Sequence, residues 1–184
     1  LNTLAENLRR NPREDHRTTV VHFGFAKAEQ VDRLAALGAI VSANPYYTVV
    51  LADRYSEIGI GPERAQQMVR LGDVARAGIS FSFHSDMPMA PARPLFLVWT
   101  AVNRTTVNGN VAGPRQRVNV ADALAAVTIE AAYSLRLEEE IGSIAQGKLA
   151  NFTVLEADPF AVAPMQIKDI TVWGTVFEGR IQPH

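Results

Sequence analysis

His22, Asn44, His84 and Asp86 each stand at or just past the end of a short β-branched or aromatic run. Parallel α/β architectures gather their functional groups at such strand ends. His22 closes Thr18-Thr-Val-Val-His22, where a neutral imidazole could serve as a nitrogen ligand for a borderline metal. Asp86 closes Ser82-Phe-His-Ser-Asp86 and is followed by Met87-Pro88, so it lies where a strand has stopped pairing. A carboxylate there could bind a metal and take a proton from activated water. Alternation predicts Ser82, His84 and Asp86 on one face and Phe81 and Phe83 on the other, a polar row lining a wet cavity. Two ligands fall short of the three or four that protein usually gives zinc. The same residues also have plainer uses. A strand-end histidine is commonly a hydrogen-bonded structural group. Asp86 could cap a turn before Pro88, His84 could be a satisfied core histidine, and Tyr46 and Tyr47 could be packing. His16 and His184 are given no role.

The surrounding pattern supplies the elements that must hold these groups. Leu1, Leu4 and Leu8 recur at helical spacing until Asn11-Pro12. Thr18–His22 reads as a strand, Lys27–Leu37 as a helix stopped by Gly38, and Ile40–Ala43 as a second strand broken by Asn44-Pro45. Tyr46 to Ile60 reads as a long connection. Gly61-Pro62 opens a helix running to about Ala77, and Ile79–His84 is a third strand. Strand and helix thus alternate as in a parallel sheet. Farther on, Pro94–Val102 is helical, Val107–Arg117 is a loop, and Asn119 caps a helix from Val120 to about Ala132. Tyr133–Leu137 adds a short helical piece. Three β-like stretches close the chain, Asn151–Leu155, Ile170–Phe177 and a last one near Ile181, which places a boundary near residue 140.

The bulk numbers exclude several classes. The chain has 184 residues, 47% hydrophobic and 20% charged, as in an ordinary globular protein with one sizeable core. A formal net charge of −1 and the lack of any basic cluster predict neither nucleic acid nor a membrane as partner. There is no cysteine, so a metal must be held by His, carboxylate or backbone oxygen; the same absence favours the cytoplasm. No apolar run reaches the length of a membrane span. The start inside a helical pattern at Leu1 reads as a cut end.

An ordered set of motifs resembles a known family. Val20-Val-His22, Ser42-Ala-Asn-Pro45, His84-Ser-Asp-Met-Pro88, Val118-Asn-Val-Ala-Asp-Ala-Leu124, Glu140-Ile-Gly-Ser-Ile144, Gly147-Lys-Leu-Ala-Asn-Phe152 and Leu155-Glu-Ala-Asp-Pro159 are similar, in order, to segments of the amidohydrolase superfamily. The branch is amidohydrolase family 3, which holds formamide deformylase-like enzymes. The resemblance implies an α/β fold: the C-terminal part of a (β/α)8 TIM-type barrel over residues 1–140, followed over 141–184 by strands of a small β-sandwich. It implies a metal-dependent hydrolase acting on an amide or formamide C–N bond, with one or two divalent ions, zinc expected. His22 matches the family's histidine at the sixth barrel strand, and Asp86 its proton-accepting aspartate at the eighth. The family's other ligands lie on strands before the part represented here, and a barrel of about 250 residues does not fit in this chain.

Two positions depart from the branch: His84 stands where Gly is usual, and Asn151 where Asp is common. In this reading Asp86 is the general base and a ligand, His22 a ligand or carbonyl polariser, and Asn44, His84 and Met87 shape the pocket for a small amide-type substrate. A homo-oligomer is compatible with it. The alternative is a non-catalytic module that lacks a complete metal site and needs a partner chain. An open half-barrel would leave an unpaired parallel edge and apolar faces prone to association.

Overall fold

The computed structural model describes residues 1–183; His184 lies outside the described residues. Eight α-helices and six strands follow in the order α1 (Asn2–Arg10), β1 (Thr19–His22), α2 (Ala28–Ala36), β2 (Ile40–Ala43), α3 (Tyr46–Ile58), α4 (Pro62–Ala65), α5 (Leu71–Arg76), β3 (Phe81–Phe83), α6 (Pro94–Asn103), α7 (Val120–Ala125), α8 (Ile129–Ser134), β4 (Phe152–Leu155), β5 (Val172–Phe177) and β6 (Arg180–Pro183). Strands β1, β2 and β3 form a parallel sheet in that order, and β4, β5 and β6 an antiparallel one. The expected strand–helix alternation is present, and the fold is mixed α/β.

The parallel register sets the geometry of everything that follows. His22 pairs with Ala43, and Ala43 with Phe83, so all three strands end level at one rim. Val41, Ala43, Phe81 and Phe83 turn one face of the sheet into the core, where they meet Val31 and Leu34 of α2 and Met68, Leu71 and Val74 around α5. Each large side chain buried in this way stabilises the layer by about 1.5–3 kcal/mol. At the far end of α6, Arg104 is almost fully buried and donates to the carbonyls of Val69, Met68 and Ala112, which fixes the turn between α4 and α5. The antiparallel sheet is thinner, with Gly174 its one buried strand residue among those described. The segment before β5 nevertheless joins the main core through buried Ile167, and Trp99 and Asn103 of α6 donate to the carbonyls of Met165 and Pro164.

Four local expectations change. Most of the connection expected over Tyr46–Ile60 is helix α3, Tyr46–Ile58: Pro45 starts it in αR geometry, and burial of Tyr46, Thr48, Val49 and Ala52 outweighs the weak helix propensity of aromatic and β-branched residues. The helix expected over 62–77 is split by Val69, which takes a left-handed backbone. The helix expected over 120–132 is also interrupted, and the carbonyl of Ala126 at the break accepts from the backbone N–H of Phe83 at 2.9 Å. Finally, of the polar row Ser82, His84 and Asp86, only Ser82 lies within β3 and it does not face water, whereas His84 and Asp86 lie past the strand's end and line a depression. Ser82 is 3% exposed, as buried as Phe81 and Phe83, although β3 is an edge strand of this sheet, because the break between α7 and α8 packs on it and pairs with Phe83.

Candidate metal centre

The rim where the three strands end brings His22, His84 and Asp86 together. One ligand atom from each lies within 4.8 Å of the other two. His22 Nε2 stands 3.3 Å from Asp86 Oδ2, and the His22 and His84 ring centroids are 5.1 Å apart. Tyr47, from the first turn of α3, meets the His22 ring edge-on at 6.1 Å.

Register alone does not aim these groups. His22 and Asp86 both take left-handed backbones, with φ of 68° and 58°, and Phe23 after His22 does too. Asp and His tolerate this region better than most side chains, but it is uncommon outside glycine and persists where the surroundings enforce it, often at functional sites. At Asp86 the turn is held by Met89 N–H donating to the Asp86 carbonyl at 2.7 Å. Below it, Asn44 is fully buried. Its Oδ1 accepts from Tyr46 N–H at 3.1 Å, and its Nδ2 faces the Ser85 carbonyl at 3.5 Å, tying the end of β2 to the loop carrying Asp86.

The imidazoles differ in setting. His22 and Asp86 are nearly half exposed, whereas His84 Nε2 is buried and has no hydrogen-bond partner. Burial lowers the His84 pKa, and the neighbouring His22 charge lowers it further, against Asp86 and a Ser42 backbone hydrogen bond that raise it. His84 is thus biased to the neutral form, the one with a lone pair to offer. An orphaned ring nitrogen, a second imidazole and a carboxylate without competing thiols make a donor set suited to zinc or a similar divalent ion.

Beside this cluster opens a depression of about 400 Å3, lined by His84, Asp86, Met87, Arg93, Leu97 and neighbouring residues. Met87 is exposed on its wall. Of the residues singled out in the sequence, His22, His84 and Asp86 converge, Met87 lines the adjoining depression, and Asn44 lies beneath them with its amide engaged by backbone. Sequence reasoning missed Arg93, which no motif or periodicity marks.

The amidohydrolase family model matches residues 1–182, nearly the whole chain. The chain belongs to the amidohydrolase family. This amidohydrolase chain is 29% identical over 177 residues to the N-substituted formamide deformylase of Arthrobacter pascens, a match covering 96% of this chain and 33% of the relative. It is also 29% identical over 150 residues to the protein LONG AFTER FAR-RED 3 of Arabidopsis thaliana, covering 80% and 26%. The chain thus spans a third or less of the length of these curated relatives. Its fold is shared with part of a metal-dependent hydrolase of Pyrococcus horikoshii at a TM-score of 0.70 and 23% identity, covering 88% of this chain and 32% of that one. It is shared as well with part of an adenosine deaminase of Xanthomonas campestris with bound zinc, at a TM-score of 0.63 and 18% identity, covering 98% and 42%. None of the helices described is long and apolar enough to cross a membrane.

Proposed function

We propose that this amidohydrolase chain supplies part of the active site of a longer metal-dependent hydrolase that cleaves a non-peptide C–N bond, an amide or formamide, in a small molecule. The observation that carries the proposal is the convergence of His22, His84 and Asp86 at one strand-end rim, with a buried imidazole nitrogen left without a partner. The similarity to an N-substituted formamide deformylase supports the bond type, and the zinc-bound neighbour supports zinc as the ion.

In this reading His22, Asp86 and His84 hold the ion together with residues elsewhere in the longer protein. A divalent ion, when bound, acidifies water and polarises a carbonyl. Asp86 acts as general base: its carboxylate takes the proton of the attacking water and returns it to the departing nitrogen. The left-handed turn at Asp86 keeps that carboxylate at the mouth of the depression. Asn44 positions the loop from beneath, and Met87 borders the substrate.

The same reading extends to architecture. Residues 1–140 belong to a (β/α)8 barrel and 141–184 to a small β-sandwich, each completed by other parts of the longer protein, which is compatible with a homo-oligomer. Nothing in the comparisons favours the non-catalytic alternative.

Elemental analysis of the longer protein, wild type against Asp86→Asn and His84→Ala, tests the proposal. Zinc or another divalent ion near stoichiometric in the wild type and lost in the variants is the expected result. Equal metal in all three proteins would remove these residues from the site.

A further inference from the structure

The depression next to the candidate metal centre is lined by one arginine, Arg93. This residue immediately precedes α6. Its N–H donates to the Pro91 carbonyl at 2.9 Å, and its carbonyl accepts from Phe96 and Leu97 at 3.0 and 3.1 Å, so its backbone is fixed. Pro94 restricts it further, because the residue before proline has few accessible conformations. The guanidinium lies over the Phe96 ring, 5.8 Å from its centroid. Phe96 in turn stacks on Tyr46 at 5.0 Å and packs against Trp99 at 5.2 Å, while the Tyr46 hydroxyl donates to the Pro91 carbonyl. Arg93 is therefore a cation carried on an aromatic platform, with no carboxylate within ion-pairing distance among the described residues.

The two charged residues of the depression are opposite in sign. Asp86 repels an anion, whereas Arg93 offers a planar fork suited to two carboxylate oxygens. Leu97 and Met87, which line the same depression, supply apolar surface. We propose that Arg93 is a specificity-determining residue of this site, selecting amide-type substrates that end in an anionic group, a carboxylate being the simplest, beyond a short apolar segment. This rests on the hydrolase reading above for the word substrate, but not for the binding of the anion.

The test uses the longer, metal-loaded protein with N-formylphenylalanine and its neutral carboxamide, in wild type, Arg93→Gln and Arg93→Lys. The wild type should favour the carboxylate in kcat/KM by about tenfold or more, as a charged hydrogen bond to a bound anion requires. Arg93→Gln should bring that ratio close to one, with Arg93→Lys between them. No wild-type preference, or the same ratio in Arg93→Gln, overturns the proposal. If neither compound is hydrolysed, calorimetric binding of N-formylphenylalanine decides. Binding weakened about tenfold in Arg93→Gln supports Arg93 while the hydrolase reading fails alone. Absent binding, or binding equal in both proteins, overturns the role of Arg93.

Discussion

The two ends of the parallel sheet both carry charged groups, but they pair them differently. At the ends where β1 and β3 begin, Arg17 forks onto Glu138 and also reaches Asp15 and the Tyr133 carbonyl. Its guanidinium covers the Tyr133 ring at 3.8 Å. The Tyr133 hydroxyl and Arg136 both donate to Asp15, and Ser80 donates to Glu130. At the ends where the strands finish, His84 Nε2 has no partner, and His22 meets Asp86 only at 3.3 Å. Saturated pairing satisfies a fold. Convergent donors left under-paired are what a ligand needs, and in TIM barrels stability and chemistry divide between the two ends of the strands in the same sense.

The sharpest way to break this contrast is Asp86→Asn in the longer protein. If Asp86 is the base proposed above, its loss should lower kcat by roughly 10³-fold or more, since acid–base groups and metal ligands both contribute at that scale. Its side chain is nearly half exposed and its partner is one weak contact, so with metal removed from both proteins the unfolding midpoint should scarcely move. Turnover within a fewfold of wild type would put the chemistry elsewhere. Asn44→Ala should act in the opposite sense. It strands the Tyr46 N–H and opens a small void in a fully buried place, at a cost of about 2 kcal/mol in urea unfolding. A shift under about 0.5 kcal/mol would mean that Asn44 is free to face a substrate rather than hold the rim.

How much of this could be read beforehand follows from which interactions are local. Strand ends at His22 and Asn44 were legible because β-branched runs stopped by Gly or Asn-Pro mark them, and the end near His84 because an aromatic run stops shortly before Met87-Pro88. The meeting of His22 with Asp86 was suggested by their shared place at strand ends and made specific by the family resemblance. Alternation along β3 pointed Asp86 the right way for the wrong reason, because the strand stops at Phe83 and a left-handed turn does the aiming. Helix α3 was missed because its first turns are rich in aromatic and β-branched residues, and only tertiary burial makes them helical. Arg93 carries no local signal, since its importance comes from Phe96, Tyr46 and a depression formed by distant segments. The Arg17 cluster joins residues more than a hundred positions apart, beyond any periodicity.

The smaller predictions concern that saturated end. Tyr133→Phe removes one donor to Asp15 and should cost about 0.5–1 kcal/mol with turnover unchanged. A loss of turnover instead would show that the two ends are coupled. Acid supplies the subtlest probe. The Arg17 hydrogen bond, the Tyr133 hydroxyl and the positive charges of Arg17 and Arg136 hold the Asp15 carboxyl down at about 2, against 3.8 when unperturbed. A folded-state pKa below the unfolded one gives stability that is complete above about pH 4 and disappears as pH falls through about 2. Thermal unfolding followed from pH 5 to pH 2 should therefore show a decline in wild type that is shallower in Asp15→Asn. High salt should weaken the difference, because this cluster lies near the surface. Identical slopes in the two proteins would mean that the pairing around Arg17 is already as loose as that at the rim, and the contrast between the ends would be lost.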